Sequence, residues 1–199
     1  MKQFTIDEIL TVFANKKYVV KHLPFEVNLF GVRNIDAEGN TFDDCVGLFY
    51  KDLKNQWVLK QYVATTDPGL FYRLNPITRE GTAIMVPGQY INCYKVGLHK
   101  GYPALEQCGN MKYVRDNNKN KVLDFLYKVV GYKFVVGNIK SNIHHAGTDS
   151  KQVDKWSAAC QVIAKLTDFK DFLSTVQMTV KTTQVNLFDY TLLEIENFK

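Results

Sequence analysis

A pair of histidines and a cysteine farther along the chain are the residues of this sequence best suited to covalent chemistry. Asn142–Gly147 carries His144 and His145 from an expected strand into a loop, and Cys160 follows a run of small residues. A cysteine becomes a nucleophile when a nearby imidazole holds it as a thiolate. The pattern therefore predicts that Cys160 is a nucleophile with a lowered pKa. The spacing leaves open the alternative that Cys160 is a small, buried apolar residue.

The residues just before the cysteine would keep the approach to its sulfur open. Ala158 and Ala159 have small side chains, so a substrate could come close and backbone N–H groups could help to form an oxyanion hole. Ser157, or a nearby backbone carbonyl, is expected to orient the imidazole that serves as base. A cysteine nucleophile of this kind needs no metal or organic cofactor.

The two segments together resemble the active-site pattern of L,D-transpeptidases of the YkuD type. In that pattern a histidine, a loop and a Ser/Thr-x-Gly-Cys run follow one another, as Ile143-His144 and Ser157–Cys160 do here. The resemblance implies a mostly β fold, with the cysteine as nucleophile and the upstream histidine as base, acting on peptidoglycan stem peptides. It also implies an acyl transfer that passes through a thioester. The upstream turn Thr65–Gly69 is similar to the Thr-Pro-x-Gly turn of that family.

Three positions depart from the family pattern. Ala159 stands where the family has glycine, Ala158 stands where a histidine is common, and Val162 stands where an arginine is usual. The first two changes are sterically small, whereas the loss of the arginine removes an expected contact to a substrate carboxylate.

The motif also decides between the two adjacent histidines. Neighbouring residues on a strand face opposite sides, so only one of them can point at Cys160. We assign His144 as the general base because it aligns with the motif. His145, the rival base, is expected to be exposed or to contact the substrate.

Three stretches are similar to uncharacterised phage-encoded proteins that carry NIHR, WSAGCQ and GLHRG. They are Asn142–His145, Trp156–Gln161 and Gly97–Gly101. Asp7 and Glu8 stand where a signal peptide needs an apolar run, so we expect synthesis in the cytoplasm without a signal peptide. The phage resemblance implies either release to the cell wall or packing in the virion. A lysis or virion role would favour water over an amine as the acyl acceptor.

Further candidate substrate contacts lie in and near these stretches. His99 and Tyr102 flank a glycine-containing turn that could line a cleft, although a strand end with a solvated histidine is the alternative reading. The full set of expected substrate contacts is His145, His99, Tyr102, Trp156, Gln161 and Ala159.

The segment Asp116–Asp124 spaces its side-chain oxygens like a calcium loop. Lys121 stands where such a loop needs glycine, and Tyr127 stands where it needs glutamate. The sequence therefore predicts a hydrated turn there and no metal site.

Composition limits the class of protein. The 199 residues carry a net charge of +5 in scattered lysines, with no nucleic-acid-binding motif and no stretch of membrane-span length. The four cysteines form no CxxC pair, which argues against a zinc site and favours reduced thiols. The sequence does not predict an oligomeric state.

The hydrophobic pattern predicts a single, mostly β domain, either a sandwich or barrel-like. A capping box predicts a short helix over residues 5–15 within an N-terminal appendage, residues 1–25, and a second helix is expected from about Asp168, after the candidate active site. Residues 36–40 form an expected turn. The expected strands, within residues 26–199, are Glu26–Val32, Cys45–Lys51, Gln56–Ala64, Thr82–Val86, Gln89–Leu98, Lys112–Arg115, Tyr132–Val136, Ile139–His144 and Asn186–Ile195.

The leading functional hypothesis is cysteine-dependent acyl transfer or hydrolysis on peptidoglycan peptides. One alternative is a non-catalytic virion or wall-binding protein that keeps the fold. The other is an intracellular binding protein in which the histidine–cysteine pair is incidental.

Overall fold

The computed structural model describes residues 2–35 and 39–199, so residues 36–38 of the turn expected at 36–40 lie outside the described residues. Strand is the main element, with 37% of residues against 21% in helix, which confirms the mostly β class. The strands are β1 (Asn28–Arg33), β2 (Asp44–Lys51), β3 (Trp57–Thr65), β4 (Thr82–Met85), β5 (Gly88–His99), β6 (Tyr102–Gln107), β7 (Met111–Asp116), β8 (Val135–Gly137), β9 (Ile143–His145), β10 (Gln161–Ile163) and β11 (Phe188–Glu194).

Eight of these strands close into a barrel, in the order β1-β11-β5-β6-β9-β10-β3-β2. Two pairs of neighbouring strands in this barrel run parallel, β1 with β11 and β9 with β10. The other three strands form a separate sheet in the order β4-β7-β8. The barrel-like alternative of the sequence analysis is thus the one observed.

The N-terminal helix α1 (Ile6–Asn15) forms where the capping box predicts it. The Thr5 hydroxyl accepts a hydrogen bond from the Glu8 N–H, and the Glu8 carboxylate accepts one from the Thr5 N–H. Its buried face packs on the outside of the barrel, where the Phe13 ring meets the Phe49 ring edge-on at 5.4 Å. The helix therefore shares a hydrophobic cluster with strands β1 and β2.

The long helix α3 (Leu166–Thr183) confirms the second predicted helix. Its buried residues Phe169, Phe172, Leu173 and Val176 join the main hydrophobic core. Phe172 packs edge-on against Tyr62 of β3 at 5.9 Å. Helix α3 follows β10 in the chain and contacts the barrel strands β3, β9 and β10. None of the helices in the described part of the chain is long and apolar enough to cross a membrane.

The sequence patterns missed five elements of the described chain. They are β6, β10, the short helix α2 (Leu70–Leu74) and two 3₁₀ helices, Leu126–Lys128 and Ile195–Phe198. Strand β6 contains Pro103, which weakens any strand signal. Strand β9 begins later than predicted because Lys140 adopts a left-handed conformation, with φ of 62°, that interrupts the extended backbone.

Candidate active site

The parallel pairing of β9 and β10 brings the two halves of the motif together. Their register places Gln161 opposite Ile143 and Val162 opposite His144. The Gln161 N–H donates to the Asn142 carbonyl at 2.9 Å, so Cys160 enters β10 beside the start of β9. The histidine and the cysteine therefore meet because two short strands lie side by side.

The sulfur of Cys160 lies close to two imidazoles. One nitrogen of His144, one nitrogen of His99 and the Cys160 Sγ all lie within 4.8 Å of one another. The Cys160 thiol donates a weak hydrogen bond to the Lys140 carbonyl at 3.7 Å. His144 thus lies near the Cys160 sulfur without a direct hydrogen bond to it among the described residues, and a second histidine flanks the pair.

The His144 ring is held in one tautomer by its neighbours. Its Nδ1 lies 2.8 Å from the His145 carbonyl oxygen and 3.2 Å from the Tyr102 hydroxyl. Because the carbonyl can only accept, Nδ1 carries the proton and Nε2 carries the free lone pair. His144 is 2% exposed, and its Nε2 has no hydrogen-bond partner among the described residues. A buried lone pair without a partner is available to accept a proton.

The contact that orients His144 is the backbone carbonyl of His145, the second of the two options that the sequence left open. Ser157 is fully buried, and its hydroxyl donates to the Cys160 carbonyl at 2.8 Å. Ser157 therefore fixes the backbone at the cysteine.

The acid–base properties of the pair differ from the sequence-based expectation. Burial raises the pKa of the Cys160 thiol to about 11, so the predicted lowering is wrong. Burial, followed by the nearby imidazole of His99, lowers the pKa of His144 to about 3. Both groups are neutral at pH 7 before any substrate binds.

His99 reaches this pair from the turn between β5 and β6. The turn uses left-handed backbone at Lys100 and Gly101, with φ of 48° and 89°. The His99 ring stacks on the His144 ring, with centroids 4.0 Å apart and planes 9° from parallel. His99 Nδ1 lies 3.1 Å from the Asn142 side-chain nitrogen. The glycine-flanked turn therefore faces the candidate site.

A cavity of about 350 Å³ opens over Cys160, where the three-stranded sheet meets the barrel. Of the expected substrate contacts, His99, Trp156 and Ala159 line it. Ala158 also lines it, as expected for a small residue beside the nucleophile.

The other three expected contacts lie elsewhere. The His145 ring packs between Tyr102 and Phe169, at 4.8 and 5.3 Å. Tyr102 contacts the site from the side, through a hydroxyl 3.2 Å from His144 Nδ1 and an edge-on contact with the His99 ring at 5.5 Å. Gln161 is fully buried and accepts a hydrogen bond from the Tyr190 hydroxyl inside the barrel.

Four basic residues of the cavity wall were not predicted from the sequence as part of the site. Lys100, Arg115, Lys140 and Lys155 line the cavity, and no aspartate or glutamate is among its described lining residues. They come from four separate loops and strands, so no sequence motif could have grouped them. Lys140 is paired with the Glu106 carboxylate at 2.9 Å, so the charges of Lys100, Arg115 and Lys155 are the ones that favour an anionic ligand.

The turn that resembles the Thr-Pro-x-Gly motif packs against the cysteine segment. The Gly69 N–H donates to the Ser157 carbonyl at 2.9 Å. A Cβ on Gly69 would lie 2.1 Å from the Asp154 carbonyl oxygen, so only glycine allows this approach.

The oxygens of the Asp116–Asp124 loop are used within the loop. The Asn118 and Asn120 side-chain oxygens accept backbone N–H bonds from Asn120 and Val122, at 3.2 and 2.7 Å. The Asn118 amide donates to the Asp124 carboxylate. These are the self-bonded turns that asparagine and aspartate form readily.

Comparison with protein-family models, curated proteins and solved structures gives no match in any of the three, so the L,D-transpeptidase resemblance rests on the motif residues alone.

Proposed function

We propose that the protein is a cysteine-dependent acyltransferase or hydrolase that acts on peptidoglycan stem peptides, as an L,D-transpeptidase does. The observation that carries the proposal is the buried His144 ring, which has one nitrogen within 4.8 Å of the Cys160 sulfur, beneath an open cavity, and whose Nε2 has no hydrogen-bond partner among the described residues. This arrangement pairs a free base with a nucleophile at a place that a substrate can reach.

The chemistry begins from a neutral pair. As the Cys160 sulfur attacks a peptide carbonyl, the thiol proton passes to His144 Nε2 and a carbon–sulfur bond forms. The carbon–nitrogen bond then breaks, and the leaving amine takes the proton from His144. A second amine or water attacks the thioester and frees the thiol.

The basic cavity supports a substrate with a free carboxylate. Val162, which replaces the usual arginine of the family, is fully buried and makes no contact with the cavity. Arg115, Lys100 and Lys155 provide positive charge at other positions of the wall. Stem peptides carry carboxylates, which a guanidinium binds through paired hydrogen bonds.

The test is turnover and acyl-enzyme formation with purified muropeptides. Cys160→Ala should abolish both, and His144→Gln should lower the rate about 10²- to 10⁴-fold, the range for loss of a general base. His145→Gln is the matched control and should change the rate less than about threefold, since that ring packs on Phe169. Turnover that persists in Cys160→Ala would rule out the cysteine mechanism.

A second candidate is a non-catalytic wall-binding or virion protein. The raised pKa of Cys160 favours it, because a thiol near pKa 11 is a poor resting nucleophile. That reading predicts that wild type and Cys160→Ala bind muropeptides equally well and that neither turns them over.

A further inference from the structure

The stacked histidines differ in which nitrogen bears the proton, and this difference follows from their partners. The Asn142 side-chain oxygen accepts the Gln107 N–H at 2.9 Å, so the other end of that amide is its NH₂ group. This NH₂ group donates to His99 Nδ1 at 3.1 Å. A neutral His99 must then carry its proton on Nε2, whereas His144 carries its proton on Nδ1.

We propose that His99 is a second catalytic residue, whose Nε2–H donates a hydrogen bond to the sulfur of Cys160 as that sulfur becomes negative. His144 supplies the lone pair that removes the thiol proton, and His99 supplies the N–H that stabilises the resulting thiolate. This proposal rests on the proposed function only for the step in which the thiolate attacks a peptide carbonyl.

Position and stacking support this division of labour. The two rings are parallel at 4.0 Å, and one nitrogen of each lies within 4.8 Å of the Cys160 sulfur. His99 also lines the cavity beside Cys160, so it is next to the atoms that would react. A hydrogen bond to an anion is stronger than one to a neutral group, so the contact favours the thiolate over the thiol.

Burial and the neighbouring basic groups favour a neutral His99. Burial lowers the pKa of His99, and the nearby Lys100 and His145 lower it further. The titratable or charged groups that face it or share its cavity are His144, Tyr102, His145, Cys160, Lys100, Lys140, Lys155 and Arg115. No carboxylate is among them, so nothing in this set would hold His99 as a cation.

The same three side chains could be read as a metal site, since two imidazoles and a thiolate are zinc ligands. The Asn142 amide argues against that reading. A histidine that binds zinc through Nε2 carries its proton on Nδ1. In His99 that N–H would face the NH₂ group of Asn142, so two hydrogen-bond donors would oppose each other.

The test is the pH profile of iodoacetamide modification at Cys160, read by peptide mass mapping in the full chain. His99→Ala should raise the apparent pKa of Cys160 by about one unit, which is about a tenfold slower reaction below that pKa. His99→Gln keeps an N–H donor and should recover most of the rate. Lys100→Gln controls for the loss of a neighbouring cation and should shift the profile less than His99→Ala.

A profile unchanged in His99→Ala, or a His99→Gln profile as shifted as that of His99→Ala, would overturn the proposal. Long-range ¹⁵N–¹H spectra of the wild-type protein give an independent reading that needs no variant. They should show the proton on Nε2 of His99 and on Nδ1 of His144, and the opposite tautomer at His99 would also overturn it.

A titration with Zn²⁺ alone tests whether the three side chains bind a metal ion instead. Micromolar binding by wild type that is lost in His99→Ala would assign His99 as a ligand and refute the donor role. Because none of these measurements uses a peptide substrate, a failure of muropeptide turnover does not affect their outcome.

Discussion

At the scale of single residues, His144 combines two properties that oppose each other. Its Nδ1–H is satisfied by the His145 carbonyl, while its Nε2 is buried with no partner among the described residues. An unpartnered polar atom lowers stability, because water would have bonded it in the unfolded chain. The fold therefore keeps a destabilising base where the proposed reaction needs one.

This burial makes the stability of the protein depend on pH. The pKa of His144 is about 3 in the folded chain against an ordinary value of 6.5, so the unfolded chain binds the proton first as the pH falls. The contribution of His144 to the free energy of unfolding is therefore complete above pH 6.5. It is lost as the pH falls toward 3, by up to about 1.4 kcal/mol per pH unit. Urea unfolding between pH 7.5 and pH 4.5 should show a smaller loss in His144→Asn than in wild type.

The exposed His22 gives the matched control, since His22→Asn also removes one histidine. It should lose stability on acidification as wild type does. If His144→Asn and wild type lose equally, His144 is not the buried neutral group that the structure shows.

The residues of the site were predictable only where local pattern carried the information. The motif placed His144 and Cys160 together correctly, because the resemblance includes the loop between them. It gave the wrong direction for the pKa of Cys160, since burial depends on the packing around the sulfur and not on its chain neighbours. The basic residues of the cavity wall could not be predicted for the same reason, because tertiary packing alone brings Lys100 and Arg115 together.

At the scale of elements, a buried ionic cluster ties the end of β1 to the ends of β2 and β3. The Arg33 guanidinium is fully buried and lies 2.8 Å from the Asp67 carboxylate. It also donates to the Thr66 hydroxyl at 3.1 Å and to the Met85 carbonyl at 2.7 Å. The Asp44 carboxylate accepts the Thr66 N–H at 2.6 Å and completes the network. Arg33 thus links the barrel to β4 of the smaller sheet.

Removing the cation should leave buried carboxylates without compensation. We expect Arg33→Met to lower the free energy of unfolding by about 3–5 kcal/mol, the usual cost of breaking a buried ion pair. The double variant Arg33→Met/Asp67→Asn should recover part of that loss. Urea denaturation measures both.

The exposed counterpart is Lys128, which lies 3.4 Å from both Glu194 and Glu196. Lys128→Met should cost less than about 1 kcal/mol, since solvent screens such pairs. A loss in Arg33→Met no larger than that in Lys128→Met would contradict a structural role for the buried cluster.

Elements with a strong local signal were predicted, and those that depend on partners were not. Helix α1 has its own capping box, whereas β10 has three residues and exists because β3 and β9 flank it. Periodicity cannot identify so short a segment. The parallel pairing that assembles the site was therefore hidden from the sequence.

At the scale of the whole molecule, a chain of hydrogen bonds runs through the barrel interior to the cysteine segment. The Tyr190 hydroxyl donates to the Gln161 side-chain oxygen at 3.0 Å, and the Gln161 amide donates to the Ala159 carbonyl at 3.3 Å. From the other side, the Ser141 hydroxyl donates to the same carbonyl at 2.6 Å. The strand β11 that closes the barrel thus supports the loop that carries Cys160.

The closing pair β1 and β11 leaves no room at Gly31, because a Cβ there would lie 2.1 Å from the Tyr190 hydroxyl oxygen. We expect Gly31→Ala to lower the free energy of unfolding by about 1–3 kcal/mol through overpacking. Tyr190→Phe should also cost about 1–3 kcal/mol, since it leaves the buried Gln161 oxygen unpaired. In the double variant Gly31→Ala/Tyr190→Phe the phenyl ring lacks the clashing oxygen. Its measured loss should therefore be smaller than the sum of the two single-variant losses by at least about 0.5 kcal/mol.

Gly137→Ala is the control, as nothing lies within 4 Å of its Cβ position, and it should stay within about 0.5 kcal/mol of wild type. Strictly additive losses in urea denaturation would show that the Tyr190 hydroxyl is not what confines Gly31, and that the barrel closes by another contact.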